Sequence, residues 1–220
     1  MGAPVDALEQ RVRDPQDPLE EILPASITLA LMIRNRRMGS WLQNEFAGYS
    51  EDAELPPYRR DIPGHLMTRS PQYGWIPAPV SDEQNHREAH IDLHEGTRNL
   101  ENTCLRHRKD GYIQRSLPEE QESELKNRVN LTTDLAIAVN RETYSDLLRL
   151  IRSTVYLWTL DLIEAGFSGE HNSFSASERE QAAAMDNPEH YWRRALDEYT
   201  SLPVPGVRQA GMLERLFGGA

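Results

Sequence analysis

The stretch Met38–Arg59, MGSWLQNEFAGYSEDAELPPYR, decides how the chain is read. Trp41, Leu42, Glu45 and Phe46 recur at helical spacing and share one face. Gly39 is placed to close a preceding helix in a left-handed conformation, which a residue without a Cβ adopts at no steric cost. Ser40 would then cap a new helix, with Gln43 as its capping-box partner. Gly48 ends that helix before Tyr49, and the polar SEDAE reads as a loop. Pro56 and Pro57 push the chain into extended structure ahead of Tyr58 and Arg59.

The flanking segments place this stretch in a helical core. Upstream, residues 24–38 read as a helix that is apolar nearly all round until Arg34, Arg36 and Arg37. Those arginines read as cations at a helix end, where they complement the dipole. Far downstream, a helix starting at Asn140 or Thr143 runs to about residue 165, with Tyr144, Leu147, Leu148, Ile151, Val155, Trp158 and Leu162 at a 3–4 repeat and Gly166 at its stop. Arg152 lies near that stripe, and Glu45 lies on the apolar face of its own helix. A core-facing charge needs an opposite partner, so Glu45 is expected to pair with Arg152 or Arg59.

W-L-x-x-E-x-x-G-Y followed by L-P-x-Y-R resembles the signature of the AbiTii domain of bacterial abortive-infection and related defence proteins. Trp41, Leu42, Glu45, Gly48, Tyr49, Leu55, Pro56, Tyr58 and Arg59 carry the likeness. A second block agrees: Ile151-Arg152 opening the apolar TVYLWTLDLIEAG. The likeness spans roughly residues 22–167. It implies a biological setting, anti-phage defence, rather than a reaction.

Composition narrows the remaining classes. With 220 residues, 38% hydrophobic and 27% charged, the chain suits one large soluble domain or a domain with an appendage. A net charge of -11 repels phosphates, so general nucleic-acid binding is disfavoured unless a local basic patch overrides it. Cys104, the single cysteine, fits a reducing compartment and reads as a small buried apolar residue. The amino end lacks the apolar core of a signal peptide, and the longest apolar run, Ile27–Ile33, is too short to cross a bilayer. A cytoplasmic setting without membrane contact is expected.

Residues 1–21 read as an N-terminal helical extension, with a short helix over Val5–Arg13 and a brief turn from Asp17-Pro18 to Leu23. Residues 60–80 are broken by prolines and glycines and read as extended, partly β segments, with Trp75 as an anchor. His86, His90 and His94 recur every fourth residue. On a helix they would stack as zinc ligands; if residues 89–93 are a strand, Ile91 and Leu93 turn inward and the histidines face water. The strand reading is favoured. Leu135, Ile137 and Val139 alternate as in a strand.

Beyond Phe167 the composition changes, so residues 168–220 read as a linker and helical appendage. Tyr191, Trp192, Leu196 and Tyr199 would line one face of a helix, and Leu213, Leu216 and Phe217 a terminal amphipathic turn. Such short elements must dock on this chain or another. The expected fold is therefore mainly α with a small β or extended subdomain, an α+β architecture of a helical core (residues 22–167) plus the appendage.

No phosphate-cradling glycine loop and no nucleophile elbow is present, and no cofactor is expected. The expected function is a non-catalytic assembly or regulatory component of an anti-phage system, acting by self-association or by binding a defence effector. Two alternatives stand beside it. One is a metal-dependent toxin or nuclease using His86, His90 and His94. The other is a nucleic-acid or ligand sensor using the loop of residues 60–80.

Overall fold

The computed structural model describes residues 4–107, 109–167 and 173–206. The chain divides into two compact units, each drawn from separated stretches: Met1–Glu51, Glu95–Arg108 and Ser145–Ala220 make one, and Asp52–His94 and Lys109–Tyr144 the other. The whole is mainly helical with small antiparallel sheets, an α+β fold.

The first unit is helical. α1 (Pro4–Arg13) buries Val5, Leu8 and Val12 along one stripe. α2 (Leu19–Ile33) runs unbroken through Pro24, so the turn and the helix expected on either side of that proline are one element. Pro24 has no amide to give to the carbonyl four residues back. Burial of Leu19, Ile22, Leu23, Leu29, Ala30 and Ile33 more than offsets the missing bond.

α3 (Arg36–Ala47) follows after a break of two residues, Arg34 and Asn35. The break corrects the sequence reading: Gly39 and Ser40 lie inside α3, and the left-handed residue is Arg34, at φ 65° and ψ 26°. The amide of Asn35 reaches back to the carbonyl of Ala30 at 2.8 Å, so the end of α2 closes on a six-residue turn. Met38 and Trp41 are both buried, and their three-residue spacing carries the core face straight through Gly39.

α5 (Thr97–Arg106) packs with α2 and α3 and buries Leu100 and Cys104. α7 (Arg141–Glu164) is the longest helix, and from Leu150 to Thr159 every residue is buried. A helix buried on all sides over that span is the central post of its unit. α8 (Ala176–Ala182) begins with a capping box between Ser175 and Glu178. α9 (Pro188–Asp197) is capped by the Asn187 side chain, with proline at its first position.

The second unit carries the strands. β1 (Ile62–Pro63) pairs with β4 (His90–Ile91). A four-stranded antiparallel sheet runs in the order β3 (Gly74–Pro77), β2 (His65–Ser70), β6 (Leu135–Asn140) and β5 (Tyr112–Ser116). Leu66 pairs with Ile137, and Ile113 with Val139. β6 lies inside the sheet and is buried from Leu135 to Val139, so its alanines face packed surroundings as its larger residues do. α4 (Asp82–Glu88) starts with the Ser81–Gln84 capping box. α6 (Glu119–Val129) is tied to β6 where the Glu122 carboxylate accepts the Leu135 amide at 2.9 Å. Among the described residues no helix is long and apolar enough to cross a membrane.

Candidate functional site

The motif residues come first. Trp41, Leu42 and Glu45 are buried on α3, and Glu45 is 0% exposed. Its carboxylate accepts the Tyr49 hydroxyl at 2.7 Å, one turn on. Its backbone carbonyl accepts the Thr97 hydroxyl at 2.7 Å, which joins the end of α3 to the start of α5. Gly48 ends α3 at φ 96°, a conformation that disfavours side chains, and forms an isolated bridge with Glu95. Gly96 lies so close that a Cβ there would stand 2.4 Å from the Phe46 carbonyl oxygen. The E-x-x-G-Y motif is thus half of a joint, and Glu95, Gly96 and Thr97 are the other half.

In the second unit Leu55 is buried, Pro56 leads into a 3-10 turn over Pro57–Arg59, and Tyr58 is half-buried within it. Arg59 is 0% exposed and bonds reciprocally with Leu93. Its guanidinium donates to the Leu93 carbonyl at 2.9 Å, and its own carbonyl accepts the Leu93 amide at 2.9 Å.

Arg152 behaves differently from expectation. Instead of turning to Glu45, its guanidinium donates to the backbone carbonyls of Val12, Asp14 and Asp17, at 3.0, 3.1 and 2.6 Å. Those groups lie at and just beyond the end of α1, where carbonyls have no intrahelical partner. Burial pulls the Arg152 pKa down, and the charges of Glu101, Asp17 and Asp14 oppose that pull. Glu101 performs the complementary task. Its two carboxylate oxygens accept the amides of Leu19 and Glu20, at 2.8 and 3.1 Å, capping α2. Burial raises the Glu101 pKa, against those two bonds and the Arg152 charge.

These groups line a pocket of about 240 Å³ together with Pro18, Leu105, Leu148 and Arg149. It is a candidate site in the helical unit, since it joins concavity to a buried arginine and a half-buried glutamate of opposite charge. The chemistry available to it is limited by prior commitment. Arg152 holds three carbonyls and Glu101 two amides, so both are fixed and largely consumed by the helix ends.

The remaining sequence candidates separate. α4 ends at Glu88, so His86 is helical while His90 is on β4, and the three histidines do not stack on one helix. The rings of His86 and His90 meet edge to face at 6.1 Å. Leu93 points inward and Asp92 outward, with His90 and His94 half-buried. Among the described residues no three histidine, cysteine or acidic side chains converge to hold a metal ion.

On α9, Tyr191 and Trp192 are buried within their own chain, while Leu196 is 47% exposed. Tyr199 is half-buried; its hydroxyl donates to Asp146 at 2.5 Å, and the Arg149 guanidinium sits 4.4 Å over its ring. Leu213, Leu216 and Phe217 lie outside the described residues. Sequence reasoning missed Glu101 and Gly96. A glycine immediately before the threonine that opens a helix was the available signal for Gly96; nothing local distinguishes Glu101 from the other acids.

A family model described as AbiTii matches residues 5–187. No curated protein and no solved structure matches the chain.

Proposed function

Because the chain belongs to the AbiTii family of abortive-infection-type domains, we propose that it serves anti-phage defence as an assembly or regulatory component rather than as a catalyst. The family supplies the role in abortive-infection defence. The finer reading, action through protein–protein contact or self-association in the cytoplasm, is supported by how the opposite charges of the pocket are spent. Arg152 and Glu101 are locked onto helix ends, which suits a rigid scaffold that presents its surface. The exposed Leu196 beside the buried face of α9 is the contact point this reading favours.

Substitution Leu196→Asp tests it. In cells challenged with phage, the variant should lose protection while the purified protein melts as the parent does. Its assembly mass by light scattering should fall. Full protection together with unchanged assembly would overturn the reading.

A further inference from the structure

We propose that the corner between α2 and α3 is a binding site for the phosphate group of a small ligand. Four observations meet there. Arg34, Arg36 and Arg37 are all exposed, and among the described residues none of them makes an ion pair or a side-chain hydrogen bond. Other arginines of this unit are engaged: Arg11, Arg13, Arg98, Arg193 and Arg194 each rest on a carboxylate, and Arg106, Arg152 and Arg179 hold backbone carbonyls.

Second, the helix dipole does not account for them. Arg34 does lie at the end of α2, but Arg36 and Arg37 open α3, where the dipole opposes positive charge. This corrects the sequence reading that all three complement a helix terminus. At the same place the amides of Arg36 and Arg37 precede the first helical bond of α3, from the Gly39 amide to the Asn35 carbonyl. Oriented amides and guanidinium groups together favour an oxyanion.

Third, the Asn35 side chain is 1% exposed, and neither its Nδ2 nor its Oδ1 has a partner among the described residues. A buried amide in that state is costly unless something satisfies it. Asn35 lines a pocket with Ala30, Leu31, Arg34 and Arg36. Its Nδ2 can donate to a phosphate oxygen while its Oδ1 accepts from a hydroxyl of the same ligand. Fourth, Leu31 is 68% exposed at the rim and offers an apolar surface to the rest of that ligand.

The acid nearest in the hydrogen-bond pattern is Asp186, whose Oδ1 already holds the Met38 amide, the third of α3. It takes one donor and leaves the two before it. A single phosphate needs only this local set. A long polyanion would also meet the net charge of -11, which disfavours a nucleic-acid strand as the occupant.

The test uses the full chain with inorganic phosphate, AMP and a single-stranded oligonucleotide as probes, followed by calorimetry and thermal melting at about 150 mM salt. AMP should bind and raise the melting temperature, with inorganic phosphate weaker. Arg34→Gln/Arg36→Gln changes only exposed side chains, so it should melt as the parent does and bind AMP about tenfold or more weakly. Asn35→Asp puts a carboxylate against the phosphate and removes the Nδ2 donor, and should bind weakly too. Absence of binding by both AMP and phosphate, or unchanged AMP affinity in the double variant, would overturn the proposal. Tighter binding of the oligonucleotide than of AMP would overturn the assignment to a small ligand.

Discussion

Asp186 caps α3 from far along the chain: its Oδ1 accepts the amide of Met38 at 2.8 Å, across a separation of 148 residues. Arg179 does the reverse for the helix before, donating to the Met32 carbonyl at 3.1 Å near the end of α2. The same division of labour holds at the α1–α2 junction, where Arg152 takes the carbonyls and Glu101 the amides. At both junctions an arginine serves the helix that ends and an acid serves the helix that begins. Each sign matches the dipole of the end it touches.

Asp186→Ala should therefore destabilise the chain by about 1 kcal/mol, the usual cost of a lost N-cap. Arg179→Ala should cost a similar or smaller amount. Chemical denaturation of both single variants and the double would check this. Strict additivity would show that the two contacts hold their helix ends independently.

Arg152→Met should cost roughly 3 kcal/mol. It strips three carbonyls of their donor and removes the opposing charge from the half-buried Glu101. Hydrogen exchange on the same variant should show faster opening at the amides of residues 12–20 than elsewhere. Uniform protection would argue that the carbonyls find other partners.

Gly96→Ala should be among the most damaging single-methyl changes in the chain, at about 3 kcal/mol. The new Cβ would stand 2.4 Å from the Phe46 carbonyl oxygen, and the nearest atoms are backbone that cannot swing aside. Thermal melting measures it. Gly111→Ala, where a Cβ would meet nothing within 4 Å, is the matched control and should be close to neutral.

Tyr199 gives a pH signature. Burial first, then its bond to Asp146, pushes its hydroxyl up to about 12 from an ordinary value of 10.0. A raised folded-state pKa means that the contribution is fully present below about 10 and is lost as pH rises through about 12. Tyr199→Phe should flatten the fall in stability across that window and remove one late-ionising phenol from an ultraviolet titration. Identical curves for parent and variant would contradict the burial of that hydroxyl.

Much of this architecture was legible in local sequence. The 3–4 repeat from Tyr144 to Leu162 fixed α7, and the alternation of Leu135, Ile137 and Val139 fixed β6, because each pattern reports one element's own buried face. The α2–α3 break was misplaced since glycine is the usual left-handed residue, whereas here Arg34 takes that conformation. Of the two partners expected for Glu45, Arg152 is engaged elsewhere, for a related reason. Its acceptors are backbone carbonyls, which carry no residue-type signal, and Glu101 resembles every other surface acid until the fold brings it to α2. β5 went unseen because Tyr112–Ser116 alternates weakly and only its pairing with β6 makes it a strand.

The helical unit is stitched from three stretches of chain, with the sheet-bearing unit threaded between them. On the ribosome this imposes an order of events. α1 emerges early, yet the guanidinium that secures its end is 140 residues downstream of Val12, on the order of ten seconds later at ordinary elongation rates. Until then the apolar stripes of α1, α2 and α3 have no post to close on. Apolar surface left open for that long favours aggregation, so the yield in the cell should depend more on the supply of holding chaperones than the stability of the finished molecule would suggest.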